Sequence, residues 1–114
     1  YDAVIDALDN IPARRLLARI CAKRGIPLIH GAIAGWQGQV TVIFPGDTGF
    51  DRLYPEGAER GIETETGNPV FTPAIVGALE VAETVKVLLG RPQTLRNKLL
   101  TIDLLEQEYD LIEL

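Results

Sequence analysis

Apolar residues follow three different rhythms along this chain, and each change of rhythm marks a change of element. Residues 3 to 8, Ala-Val-Ile-Asp-Ala-Leu, form a short and almost continuous apolar run, the pattern of a parallel strand covered on both faces. From 11 to 24 the spacing turns helical, with Ala13, Leu16, Leu17, Ile20 and Cys21 on one side and Arg14, Arg15, Arg19 and Lys23 mostly elsewhere. Asp9 and Asn10 offer an N-cap, Pro12 fits a first turn, and Gly25 supplies a left-handed C-cap with Pro27 beyond it. Residues 27 to 32, Pro-Leu-Ile-His-Gly-Ala, read as the next strand. Strand, helix and strand of these lengths predict a right-handed parallel crossover unit.

Further along, residues 37 to 44 alternate, with Val40, Val42 and Phe44 on one face and Gln39, Thr41 and Ile43 on a wetter one, until Pro45 and Gly46 stop the strand. The sheet is therefore expected to be mixed. Residues 46 to 68 hold five glycines, many charged or hydroxyl residues and no sustained period, which predicts a long mobile loop. Helical spacing returns over 70 to 89, where Ile75, Leu79, Ala82 and Leu89 form a stripe and Gly90 with Pro92 closes the helix. The small residues Ala74, Gly77, Ala78 and Ala82 predict close packing against the sheet or another helix. Residues 99 to 114 carry alternating apolar positions around Glu106 and Gln107, a terminal hairpin.

Composition narrows the choice of class. At 114 residues, with 46% hydrophobic and 24% charged side chains, the chain is one domain or a piece of one. The formal charge of −5 disfavours nucleic acid as a partner. The cluster of Arg14, Arg15, Arg19, Lys23 and Arg24 reads as a solvated helix face. No stretch approaches the roughly 18 consecutive apolar residues of a membrane span, and no signal peptide opens the chain, so a soluble, cytoplasmic protein is expected. The lone Cys21 cannot form an internal disulfide or a cysteine-only zinc site.

Few residues offer chemistry. Asp9 falls where a parallel strand ends and a helix begins, the place where open α/β sheets bind ligands. Its carboxylate suits either a hydrated magnesium ion bridging phosphate oxygens or simple helix capping by Asp9 or Asn10. Asp6, an acid inside an apolar strand, needs a partner, for which neighbouring backbone suffices. His30 lacks metal-ligand companions and reads as a satisfied core or strand-end histidine; Cys21 reads as inert packing. Glu80 and Glu83 suggest paired carboxylates, but Glu83 with Lys86 is an ordinary helix-surface pair. No serine nucleophile elbow and no glycine-rich phosphate loop are present in the sequence.

Four segments, in order, carry a family resemblance. "VIDALDNIPARR" has a strand, an Asp-Asn pair and an arginine five positions after the aspartate, and "IPLIHGAIAGWQGQVTVIFPGD" has two strands around a Gly-x-Gln turn. "GALEVAETVKVLLG" and "LLTIDLL" follow as a late helix and a closing strand. Together they resemble the ThiF/MoeB/HesA family, the ubiquitin-activating-enzyme-like adenylyltransferases, over nearly the whole chain. The resemblance implies an α/β fold, here a Rossmann-like three-layer fragment with a mixed parallel and antiparallel sheet. It implies an ATP- and magnesium-dependent homodimeric enzyme that adenylates the C-terminal Gly-Gly of a ubiquitin-like sulfur-carrier protein for thiamine or molybdopterin synthesis. Carried over, Asp9, Asn10 and Arg14 match the family's nucleotide and magnesium site.

In that family a glycine-rich loop, a ribose-binding acid and phosphate-binding Arg and Lys precede the strand that opens this sequence. The resemblance thus makes residues 1 to 114 the C-terminal part of an adenylation domain, one that binds ATP poorly by itself, with 46 to 68 as its crossover loop. The zinc-binding Cys-x-x-Cys pairs common in the family have no counterpart, since "GFDR" stands in place of the first, so no zinc is expected. The loop "ERGIETETGNPVFTP" also lacks the cysteine used for thioester or persulfide chemistry. The alternative is a non-catalytic family member that grips a ubiquitin-fold partner or dimerises.

Overall fold

The computed structural model describes residues 1–55 and 69–114. A single five-stranded sheet runs in the order β1 (Val4–Ile5), β2 (Leu28–Ala34), β3 (Gln37–Ile43), β4 (Lys98–Asp103) and β5 (Glu108–Glu113). β1 pairs parallel with β2 and every later neighbour is antiparallel, so the sheet is mixed as the sequence predicts. Three helices complete the described residues, α1 (Ile11–Arg24), α2 (Gly49–Leu53) and α3 (Phe71–Leu88).

Local chemistry sets the ends of α1 where the sequence puts them. The Asn10 side-chain oxygen accepts the Ala13 amide at 2.8 Å, and Gly25 closes the helix at φ 71°. A side-chain cap of this kind is worth about 1 kcal/mol. Between β2 and β3 the two-residue turn Gly35-Trp36 begins with a glycine at φ 60°, a backbone state that a side chain would oppose. This turn is held from above, because the buried Thr72 hydroxyl donates to the Gly35 carbonyl at 2.8 Å and the Trp36 and Phe71 rings meet edge to face at 4.8 Å.

Strand alternation separates two faces. α3 covers one of them so closely that a Cβ at Gly31 would lie 2.5 Å from Glu80 Cδ, and one at Gly38 would lie 2.5 Å from Val76 Cγ2. The opposite face, bearing Leu28, His30 and Ile43, meets α1 and α2 through Cys21, Phe50 and Tyr54. The chain thus stacks in three layers, helix, sheet and helices.

Several expectations need correction. β1 has two residues rather than six, because Asp6 leaves the strand to pair inside the protein. Nor is that strand doubly covered within the described chain, since Ile5 is 41% exposed at the sheet edge. The supposedly wet face of β3 is dry at Thr41, which is wholly buried and donates to the Leu95 and Lys98 carbonyls. The segment 46 to 68 is not uniformly loop, for it contains α2; its remainder, 56–68, lies outside the described residues, and so does the mobility expected there.

The largest correction concerns which helix faces are buried. In α3 they are Thr72, Val76, Glu80 and Glu83, whereas Ala82 and Leu89 of the expected stripe are exposed. Ala74, Ala78 and Ala82 also point outward, and the close approach comes instead from glycines on the sheet. In α1 the buried residues are Ile11, Arg14 and Cys21, while Leu16 and Ile20 are exposed, so Arg14 does not belong to the solvated basic face.

Candidate functional site

The site begins where β1 ends. The Asp6 amide still bonds to the sheet, donating to the Ile29 carbonyl at 2.8 Å, but its side chain turns inward and is fully buried. There Oδ2 accepts from His30 Nδ1 at 2.8 Å and lies 3.5 Å from Arg14 Nε, while Oδ1 accepts the Leu8 amide at 3.0 Å. Arg14 Nη2 donates to the Leu8 carbonyl at 2.6 Å. Leu8 is therefore gripped through both its N–H and its C=O, and the turn immediately after it is fixed.

That turn presents Asp9 and Asn10. Asp9 is exposed at the N-terminus of α1, where the helix dipole favours negative charge. The Asn10 amide nitrogen donates to Asp9 Oδ1 at 3.1 Å while the Asn10 oxygen caps the helix, so one side chain does both jobs. Of the three residues singled out from the sequence, Asp9 and Asn10 stand together at the surface and Arg14 lies beneath them, turned inward toward Leu8 and Asp6. The acid in the apolar run has the backbone bond expected for it and, in addition, a buried ionic partnership that sequence alone did not supply.

His30 is the core histidine that was expected, with more partners than a core histidine needs. With its Nδ1–H donated to Asp6, Nε2 is left to accept, and it lies 3.2 Å from both the Tyr54 hydroxyl and Gln39 Nε2. Gln39 also donates to the Tyr54 oxygen at 3.0 Å, and the Tyr54 ring meets the imidazole edge to face at 5.4 Å. Arg15 ties the same corner to α1, donating to the Tyr54 and Pro55 carbonyls at 3.1 and 3.2 Å. Tyr54 and Gln39 border a groove of about 380 Å³ floored by Ala32 and Thr101 and edged by Asp103 and Asp110.

Two carboxyls on α3 complete the picture. Glu80 is buried, its Oε2 has no hydrogen-bond partner among the described residues, and it is pushed up to about 7 by burial first and by the charge of Asp6 second, with Arg14 opposing. Glu83 is also buried and more than half of a surface pair: Oε2 meets Lys86 Nζ at 2.6 Å, while Oε1 accepts the Leu95 amide at 2.6 Å and anchors the approach to β4. Burial, with the charge of Asp6, pushes the Cys21 thiol up, which keeps it protonated and poorly nucleophilic.

A β–α–β unit followed by antiparallel strands, with an Asp-Asn turn at the carboxyl end of its first strand, defines an α/β protein of Rossmann-like type. Solved structures share that fold: Escherichia coli MccB crystallised with ATP superposes with a TM-score of 0.67 at 18% identity, covering 98% of this chain and 36% of that one. PaaA superposes at 0.65 with 14% identity, covering 97% of this chain and 41% of that one. At the level of sequence the ThiF family model matches residues 1–114, and the chain belongs to the ThiF family. It is 36% identical to the SAMP-activating enzyme E1 of Haloferax volcanii, covering 97% of this chain and 42% of that protein. It is 39% identical to the sulfur carrier protein adenylyltransferase of Thermus thermophilus, covering 96% and 44% respectively. The chain thus spans under half the length of these relatives.

Proposed function

We propose that this chain is the C-terminal part of an adenylation domain, in which it helps an ATP-dependent adenylyltransferase activate the C-terminal Gly-Gly of a ubiquitin-like sulfur-carrier protein. The observation that carries this reading is the family match over all 114 residues, with relatives at 36% and 39% identity named as a SAMP-activating enzyme E1 and a sulfur carrier protein adenylyltransferase. In the reaction the carrier's terminal carboxylate attacks the α-phosphorus of ATP, forming an acyl-adenylate and releasing pyrophosphate.

The residues at the turn fit a magnesium–nucleotide substrate. Among the described residues no three His, Cys, Asp or Glu side chains converge as a cation cage, so the protein would supply one carboxylate and leave the other positions to phosphate oxygens and water. Asp9 is that carboxylate, and a bound magnesium ion would supply charge neutralisation at the phosphates. Asn10 orients Asp9 and caps α1 toward the ligand, while Arg14 keeps the preceding residue in place. Preorganised charge of this kind supplies much of the rate in phosphoryl chemistry.

The reading extends to homodimerisation, supported by the exposed Val81, Val85 and Leu88 on the outer side of α3, to residues 46–68 as the crossover segment, and to a cytoplasmic setting without zinc. The test is ATP–pyrophosphate exchange by the full-length protein with a Gly-Gly-terminated carrier. Asp9→Ala is expected to lower exchange by about a hundredfold or more, the scale of losing a charge-stabilising group. Exchange that survives the substitution would remove Asp9 from the site. No exchange even from the unaltered protein would favour the non-catalytic binding module.

A further inference from the structure

The buried chain of contacts through His30 joins two places that are far apart in sequence. At one end the Tyr54 hydroxyl and the Gln39 amide, both bordering the groove, meet His30 Nε2 at 3.2 Å each. At the other end His30 Nδ1 holds Asp6 Oδ2 at 2.8 Å, and the second oxygen of the same carboxylate holds the Leu8 amide, next to Asp9. His30 and Asp6 are wholly buried, so no solvent competes for the bond between them. The imidazole is rigidly keyed, because its rotation would break contacts on both nitrogens at once. Adjacent arginines of α1 reinforce both ends, Arg14 on the Leu8 carbonyl and Arg15 on the Tyr54 and Pro55 carbonyls.

We propose that His30 is a positioning residue that couples the groove beside Tyr54 and Gln39 to the Asp9–Asn10 turn, acting through Asp6. Contact with the Tyr54 hydroxyl or the Gln39 amide from the groove changes what His30 Nε2 receives, and the strength of the Nδ1–H bond to Asp6 follows, since bonds in one chain polarise each other. Asp6 in turn sets how firmly Leu8 is held. The inference rests on the adenylation reading for its catalytic meaning, whereas the coupling itself is a property of the fold.

Tyr54→Phe in the full-length protein tests it, because the substitution removes one hydroxyl and keeps the ring. Hydrogen–deuterium exchange is followed at the Leu8, Asp9 and Asn10 amides, with KM for ATP and kcat measured alongside. The expectation is exchange at these amides about threefold or more faster, and a raised KM with kcat within about twofold. His30→Gln serves as the second variant, and combining it with Tyr54→Phe is expected to add little, since both cut one path. Unchanged exchange at Leu8–Asn10 in Tyr54→Phe, or fully additive effects in the double variant, overturns the proposal. Coupled amide exchange in a protein without pyrophosphate exchange supports the coupling while rejecting the adenylation reading, so the two fail separately.

Discussion

Two ionic clusters tie distant segments of this chain together, and they are opposites. Asp6 and Arg14 have side chains 0% and 3% exposed, and the carboxylate also serves His30 and the Leu8 amide. Asp47 and Arg96 form a better-shaped pair, with Nε and Nη2 each 2.9 Å from a carboxylate oxygen, yet the Arg96 side chain is 46% exposed. Arg96 also lies over the Phe44 ring at 4.5 Å. Geometry alone would rank the surface pair first. Desolvation reverses the order, because a buried charge that loses its partner has no water to turn to.

The sharpest way to break this contrast is Asp6→Ala. It removes the buried acceptor of His30 Nδ1 and the buried carboxylate beside Arg14 together, and a loss of about 3–5 kcal/mol is expected in urea denaturation. Replacing both Asp6 and Arg14 by apolar residues of similar size should recover part of that loss, since both charges of this pair then leave the interior together. A loss below about 1 kcal/mol for Asp6→Ala would place the buried cluster in the same class as a surface pair.

Glu80 sharpens the comparison, because it is a buried acid whose Oε2 has no partner among the described residues. Its carboxyl titrates at about 7 in the folded protein against an ordinary 4.5. Between those values the folded state keeps a proton that the unfolded chain has released, so stability falls as pH rises through the window, and the penalty is complete above it. Glu80→Gln carries no such penalty. It is expected to be more stable than the parent by about 2 kcal/mol at about pH 8, with the difference shrinking to little at about pH 4. A difference that stays flat across this range would mean that Glu80 is charged and paired in the fold.

These same residues divide what was legible in the sequence from what was not. The limits of α1 were legible because Asn10 and Gly25 act on backbone within a few positions of themselves. The terminal hairpin was legible because β4 and β5 are neighbours in sequence, two runs rich in apolar residues joined by a short turn that holds Glu106 and Gln107. The Asp6 cluster was not, since it gathers residues 6, 14, 30, 39 and 54 through the packing of α1 and α2 on the sheet. A signal did exist: Arg14 falls on the helical face of Ile11 and Cys21, both buried. In α3 the error had the same origin. Thr72, Val76, Glu80 and Glu83 keep helical spacing, but a search for apolar stripes passes over a buried face that is mostly polar. The nucleotide-facing role proposed for Asp9 and Asn10 rests on family resemblance, because an Asp-Asn pair before a helix is equally a cap.

The smallest expected effect completes the contrast. The hydrogen bonds from Arg96 hold the Asp47 carboxyl below its ordinary 3.8, with the Phe44 amide adding to them and partial burial opposing. A carboxyl with a depressed folded value adds stability at pH above its unfolded value and loses it as pH falls toward the folded one. Asp47→Ala is therefore expected to cost about 1 kcal/mol or less at neutral pH, and less still in roughly 1 M salt, where exposed charges are screened. The cost should fade on acidification below about pH 4, where the parent's own carboxyl begins to protonate in the unfolded chain. Asp6→Ala, measured in the same two salt conditions, should change little, because the ions do not enter its interior site. A salt-insensitive loss at Asp47 as large as the one at Asp6 would mean that the half-exposed guanidinium is desolvated in solution, and burial would no longer separate the two clusters.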